Sequence, residues 1–440
     1  MNTSKSYRSS DLKLKVLKSH PLGISKLLSF NTVFLVFILI MQLLFTGSSW
    51  ANDQKISKKT EVLRDTLTNG LRIVIVRNPL APVATTVVNY LVGSNEAPEG
   101  FPGMAHAQEH MMFRGSPGLN ADQLANISAA LGGSFDAETQ QNVTQYFFTV
   151  PSQDLDVALH IEAIRMGGVL DSDSLWDQER GAIEQEVARD LSSPEYVFYT
   201  DLLKAMFGGT VYAHDALGTR SSFNKTTGAM LKKFYETWYV PNNAILVITG
   251  DIQPKQVLVQ VKQLFADIPS KPLPGRPEIK LQPVKPDTMN LDTDLPYGIS
   301  VMAFRMPGID SPDYAASQIL ADVLSSQRGN LYALVPRGKA LFAGFALSSL
   351  PKAGLGYAIS AYPKGSDGMA LVDSMKNILM TYIQDGLPAD LVDAAKRREI
   401  SDAEFQKNSV FGLAMSWSDA LAVEGHTSPQ EDIDRISRVT

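Results

Sequence analysis

Two histidines one helical turn apart, with a glutamate beside the second, constrain this chain more than any other stretch. They are His106-Ala-Gln-Glu-His110, inside GFPGMAHAQEHMMFRGS. On an α-helix, residues four apart project from one face, so His106 and His110 can hold one metal ion between them. Two neutral imidazoles suit zinc, and Glu109 can lean toward a metal-bound water from the same turn. With only 6 His in 440 residues, a chance H-x-x-E-H is expected roughly a few times in a thousand. Catalytic zinc commonly keeps three protein ligands and one open position. The fold must therefore bring a third donor to this helix from elsewhere in the chain.

The stretch Ser174 to Leu191 is the place to look for that donor. Ile183, Val187 and Leu191 lie four apart on one stripe, which predicts a helix carrying Glu179, Glu184 and Glu186. Glu179 and Glu186 are seven apart and differ by about 20° around the helix axis, so they share a face. Glu184 lies about 160° from Glu186 and cannot serve the same site. Geometry thus pairs Glu179 with Glu186 and assigns Glu184 to solvent. It leaves open which of the pair would touch metal, and a solvated acidic face is the plainer reading of spacing alone.

The other elements follow from local signals. Glu61 to Asn78 reads as a hairpin around Thr68-Asn69-Gly70, because Asn-Gly tolerates positive φ at both turn positions. Strands are expected at Val83–Val92, Gly133–Thr139 and Asn142–Val150, and helices at Asn120–Leu131 and Val157–Met166. Between Pro269 and Pro286 the chain reads PSKPLPGRPEIKLQPVKP. Its six prolines remove backbone donors and favour extended conformation, the signature of a linker. Beyond it, strands are expected at Tyr297–Met306, Leu341–Ser349 and Gly354–Ala361, with helices at Tyr314–Ser325, Met369–Gln384 and Ala389–Lys407. That order resembles the first half and contains no second H-x-x-E-H.

Residues 1–51 have the layout of a secretory signal peptide. A basic start (Lys5, Arg8, Lys13, Lys15, Lys18, Lys26) precedes the apolar run Val33–Phe45, and Ser49 and Ala51 fit a small-x-small cleavage site. An exported protein, in a bacterial periplasm, is the expected context. The alternative is an uncleaved anchor through Leu27–Phe45, weakened by Ser29, Asn31, Thr32 and Gln42. The formal charge of the whole chain is −6. It becomes more negative once this segment is removed, because the segment holds six Lys and Arg against one Asp. An acidic protein without basic clusters argues against nucleic-acid binding and against an anionic membrane surface after cleavage. Cysteine is absent, so any zinc site must be built from histidine and carboxylate. The same absence, together with the lack of a G-x-S-x-G elbow, leaves no nucleophile scheme comparable to an activated water. What remains after residue 51 is too long for one core and suits two domains of roughly 200 residues.

The spelling H-x-x-E-H is the inverzincin signature. Followed 76 residues later by Glu186, with Glu179 seven before it, it resembles the M16 family (pitrilysin, insulinase and mitochondrial processing peptidase). The resemblance covers residues 61–267. It includes GMAHAQEHMMFRGS, GGSFDAETQQNVTQYFF, QERGAIEQEVARD and FYETWYVPNNAILVITGD. It implies an α+β fold of two tandem domains, each a mainly antiparallel sheet packed with helices. The catalytic domain would span 55–267, the linker 268–286, and a second, non-catalytic and incomplete domain 287–440.

By that resemblance His106, His110 and Glu186 would ligate one zinc ion. Glu109 would be the general base of peptide-bond hydrolysis, and Glu179 would orient a ligand histidine. The strand of Phe135, Asp136, Ala137, Glu138 and Thr139 would take an extended peptide substrate onto its edge. Family members usually carry Asn-Ala where this chain has Asp136-Ala137, which adds a negative charge at that subsite. His214 matches a loop histidine that is structural or lines the substrate, and His160 reads as a satisfied structural histidine. The chain stops inside an uncapped helical pattern at residues 431–440. A continuation into a second pair of domains, or a partner subunit of the same kind, is expected to close the substrate chamber. The reading from another class is a non-catalytic partner subunit of a peptidase complex. Such members usually lose motif residues, and this chain keeps them.

Overall fold

The Asn-Gly turn does what its chemistry predicts and ties two distant segments together. In the computed structural model, which describes residues 61–276 and 278–440, β1 (Val62–Thr66) and β2 (Arg72–Arg77) pair antiparallel around it. Gly70 sits at φ +89°, and a Cβ there would lie 2.7 Å from that of Asn242. Asn69 Nδ2 donates to the carbonyls of Phe265 and Ile268, at 2.7 and 2.9 Å. The expected signal peptide, residues 1–51, lies outside the described residues, as do the first residues of the expected catalytic domain. Among the described residues no helix is long and apolar enough to cross a membrane.

The hairpin starts a six-stranded sheet. It adds β3 (Val83–Tyr90), β6 (Ser134–Thr139), β7 (Thr144–Pro151) and β8 (Ala244–Gly250), in the order β1-β2-β8-β3-β7-β6. A separate two-residue ladder joins β4 (Gly115–Ser116) to β5 (Leu119–Asn120). Only the β2–β8 pair is parallel; the other pairs of this sheet are antiparallel. β6 lies at the edge, bonded to β7 alone. The helices that follow in chain order are α1 (Met104–Met111), α2 (Ala121–Leu131), α3 (Leu155–Gly167), α4 (Asp173–Leu191), α5 (Pro194–Phe207), α6 (Arg220–Phe223), α7 (Gly228–Trp238) and α8 (Pro254–Phe265). Residues of α1, α3, α4, α7 and α8 form the main core on one sheet face, with Leu71, Val88, Tyr90 and Leu246 beneath them. Each fully buried large apolar side chain there contributes about 1.5–3 kcal/mol.

A second, three-stranded antiparallel sheet has the order β10-β11-β9, from β9 (Tyr297–Pro307), β10 (Phe342–Ser349) and β11 (Ala353–Pro363). α9 (Tyr314–Ser325) and α10 (Gly368–Asp385) bury one face of it, around Phe345, Ala358 and Met375. The other face meets α5, where Leu202, Leu203 and Phe207 pack on Leu350, Ala353 and Leu355. α11 (Ala389–Gln406) closes over α9. Between Phe265 and Tyr297 the described residues hold no helix or strand, as the prolines dictate.

The stretch 287–440 does not stay on its own sheet. α12 (Val410–Ser418) and the turn Asp419–Val423 cross to the first sheet, where Leu413, Ala414 and Trp417 pack on Val74, Val87, Ile245 and Val247. That explains why all seven residues of β8 are buried: a strand covered on both faces reads as a continuous apolar run. α13 (Pro429–Ser437) then returns to α11 and α9.

Several carboxyl groups are buried in this architecture. Burial pushes Glu162 and Asp171 up to about 7, Asp419 up to about 6 and Glu424 up to about 7. Burial, together with the neighbouring Asp322, pushes Glu399 up to about 8. Glu162 pairs with Arg165 one turn on, both essentially inaccessible, and the guanidinium lies against the rings of Phe113 and Tyr146. Each of these acids has a folded-state pKa above its unfolded one. The stability each contributes is therefore full below about pH 4.5 and lost as pH rises through about 6 to 8. The metal-free chain should show a thermal midpoint that falls by several degrees between pH 5.5 and 8.5. Glu399→Gln should flatten part of that slope; a midpoint that instead rises with pH contradicts the assignment.

Candidate metal centre

Helix α1 begins where a glycine-bearing loop lets the chain turn sharply. Gly103 precedes it at φ +85°, and Gly218 of a distant loop lies against it at φ +87°. A Cβ on either glycine would come within about 2.6 Å of the other's Cα. The contact therefore requires two residues without side chains. It brings the loop 214–219 beside the first turn of α1, and α4 packs along the same helix.

These neighbours fix both histidine rings. His106 Nδ1 lies 2.9 Å from the carbonyl of Leu217, which can only accept, so Nδ1 carries the proton and Nε2 is free. His110 Nδ1 lies 2.7 Å from Glu179 Oε1, with the same result. The second oxygen of Glu179 pairs with Arg114. The two free Nε2 atoms converge on Glu186 Oε2, at 3.6 Å from His106 and 3.5 Å from His110.

Glu109 projects from the same helix into the cavity beside these groups, where Thr139 Oγ1 donates to its Oε2 at 2.5 Å. Burial raises its pKa, while His106, Thr139 and His110 oppose the shift. The cavity is about 610 Å³ and is lined by the four motif groups together with Phe113, Leu124 and Phe135. Phe135 stacks on Phe148 with centroids 5.4 Å apart and faces Phe113 at 5.7 Å, so the strand β6 turns that side toward α1.

The donor set meets the requirements of a zinc ion. One ligand atom from each of His106, His110 and Glu186 lies within 4.8 Å of the others. Tetrahedral zinc with bonds near 2.0–2.2 Å wants donors roughly 3.3–3.5 Å apart. Neutral imidazole with its far nitrogen already hydrogen-bonded, plus one carboxylate, is a common way to hold it.

Two sequence expectations, for Glu184 and His160, change in the folded chain, and two other residues gain a setting. Glu184, assigned to solvent, is mostly covered and accepts from Arg220 Nε at 3.0 Å. The arginine comes from 36 residues away, so helical spacing alone gave no sign of it. His160 is exposed and bonds through Nδ1 to the carbonyl of Asp156 one turn back; it belongs to the solvent side of α3 and not to its apolar stripe. Asp136 alternates with Phe135 and Ala137, so its side chain leaves on the sheet face opposite Phe135, and its Oδ1 accepts from Ala137 N. Asp136 nevertheless borders the cavity beside α1. His214 keeps to its loop, with Nδ1 3.0 Å from the carbonyl of Asp215. Sequence reasoning missed the Leu217 carbonyl, Arg114 and the Thr139 hydroxyl as partners of the motif. Thr139 had a signal, since it ends the edge strand; a backbone carbonyl has none.

The comparisons with known proteins agree with this geometry. A sequence profile described as "Insulinase (Peptidase family M16)" matches residues 72–220, and one described as "Peptidase M16 inactive domain" matches residues 225–399. An uncharacterized zinc protease of Streptomyces coelicolor is 30% identical over 204 residues, which are 46% of this chain and 44% of that protein. The chain thus aligns with about half the length of several of its curated relatives. In fold it is similar to a protease from Helicobacter pylori, with a TM-score of 0.79 at 21% identity, covering 87% of this chain and 94% of that one. It is also similar to the periplasmic protease PqqL from Escherichia coli, with a TM-score of 0.71 at 19% identity, covering 89% of this chain but 45% of that one. Two adjoining profiles of one family span most of the sequence, and the H-x-x-E-H helix lies within the first: the chain belongs to the M16 family of peptidases.

Proposed function

We propose that the chain is a zinc-dependent metalloendopeptidase acting on peptides or small unfolded polypeptides. The observation that carries this reading is the convergence of His106 Nε2, His110 Nε2 and Glu186 Oε2 beside the half-buried carboxyl of Glu109. When bound there, zinc would polarise the scissile carbonyl and lower the pKa of an attacking water toward about 7. Glu109, whose Oε2 accepts from Thr139, would be the group that receives a proton from the attacking water and returns it to the leaving amine. Glu179, backed by Arg114, keeps the His110 ring in the tautomer that binds metal. The free edge of β6, from Phe135 to Thr139, offers unpaired backbone groups to an extended peptide, which would add as a seventh strand.

The same reading includes an exported, periplasmic protein with residues 1–51 removed. It takes 55–267 as the catalytic domain, 268–286 as the linker and 287–440 as a non-catalytic domain without a second motif. A second pair of such domains, in the same chain or a partner, would enclose the substrate. PqqL is periplasmic by its description, and the present chain matches less than half of it.

Glu109→Gln should keep the metal and lower kcat for peptide hydrolysis by about 10²–10⁴-fold; hydrolysis at the unmutated rate, followed with a quenched fluorescent peptide, would remove Glu109 as the base. Glu186→Gln should weaken zinc binding markedly against a chromogenic chelator, where the unmutated chain holds about one zinc. Equal affinities in the two proteins would mean that the third ligand lies elsewhere.

A further inference from the structure

His106 owes its orientation to a carbonyl, and a carbonyl is only as well placed as the backbone that carries it. Leu217 lies in the loop 214–219, which has no regular secondary structure of its own. Besides the Gly103–Gly218 contact, one carboxylate braces that loop from within. Asp215 Oδ1 accepts from the Leu217 amide at 3.2 Å, closing a turn within the loop. Its other oxygen, Oδ2, accepts from the Tyr196 hydroxyl at 2.7 Å. Burial and the facing Asp215 carboxylate raise the pKa of that hydroxyl, so it stays a donor.

Tyr196 stands in the first turn of α5, and α5 is the helix wedged against the second sheet. Its far half buries Leu202, Leu203 and Phe207 on Leu350, Ala353 and Leu355. Just beyond, Tyr212 Oη accepts from the Lys352 amide in the β10–β11 turn at 3.2 Å. Packed atoms therefore run without a break from the second sheet through α5, Tyr196, Asp215 and Leu217 to His106 Nδ1.

We propose that Asp215, gripped by Tyr196, is the positioning residue for His106, and that the second sheet acts on the metal centre along this route. The inference rests on the reading of His106 as a metal ligand and deepens it. Glu179 orients His110 directly; Asp215 does the corresponding work for His106 at one remove, through the backbone. The arrangement gives the motif-free half of the chain a defined task in the reaction. It supports a ligand histidine.

The test is zinc affinity by chelator competition on the full chain, with the thermal midpoint of each metal-free protein measured alongside. Asp215→Ala should raise the zinc dissociation constant about 10–100-fold. Asp215→Asn should recover most of that loss, because its amide oxygen still accepts from Leu217. Tyr196→Phe should give a several-fold loss, and the Tyr196→Phe, Asp215→Ala double variant should be no worse than Asp215→Ala alone. Lys204→Ala, on the exposed side of α5, should match the unmutated chain. In the metal-loaded proteins kcat should fall while KM holds, since β6 is untouched. Should Asp215→Ala fail to fold, Asp215→Asn and Tyr196→Phe carry the same comparison. Zinc affinity within twofold of the unmutated chain in Asp215→Ala and Tyr196→Phe would overturn the positioning role. No zinc in the unmutated chain is a separate failure, which would take the metal-ligand reading down first.

Discussion

The arrangement of the candidate metal centre depends on two hydrogen bonds made by the nitrogens that do not face it. An imidazole bound to metal through Nε2 must keep its proton on Nδ1, and an unpaired ring can rotate or change tautomer. The Leu217 carbonyl and Glu179 remove that freedom for His106 and His110. The ring orientations and the convergence on Glu186 follow once those two bonds exist, while Thr139 steers Glu109 into the same cavity. A helix alone supplies two histidines on one face. It does not aim them.

Aiming them takes material from several parts of the chain. α4 brings Glu179 and Glu186 on a common face seven residues apart. The loop 214–219 can reach α1 only because Gly103 and Gly218 lack side chains. β6 reaches in from the sheet edge with Thr139. Behind them the central strands β2, β8 and β3 of the six-stranded sheet are covered on both faces, by the helical layer on one side and by α12 on the other. A sheet clamped in this way holds the edge strand and α1 in a fixed relation, which a site built from four separate segments requires.

What could be read in the sequence was what is local. The His106–His110 spacing, the Asn69-Gly70 turn and the proline-rich stretch each carry their physics within a few residues, and the folded chain places them accordingly. Helical angles paired Glu179 with Glu186 correctly but could not say which one faces the two Nε2 atoms. That depends on which turn of α4 lies beside His110. Glu184 was misjudged for the complementary reason: Arg220 lies far along the chain. The Leu217 carbonyl was out of reach altogether, since a backbone atom is the same whatever residue bears it.

The linker shows how far a sequence of prolines understates a segment. Low helix and strand content was expected of residues 269–286, and none forms among the described residues, yet the stretch is not a loose tether. Arg276 lays its guanidinium 5.4 Å from the centroid of the Trp238 ring. It pairs with Glu96, donates to the Leu91 carbonyl and reaches Asn243 Oδ1 at 3.1 Å. Glu96 is a buried carboxylate whose other oxygen accepts from the Gly93 amide at 2.9 Å. It stands in the loop that delivers the chain into α1. Leaving such a carboxylate without its cation would expose the full cost of a buried charge, so the pair holds both partners in place. The segment joining the two sheets is thereby fastened to the entry of the helix that carries His106 and His110. The positions of the sheets and of that helix are coupled on a second side, independently of α5.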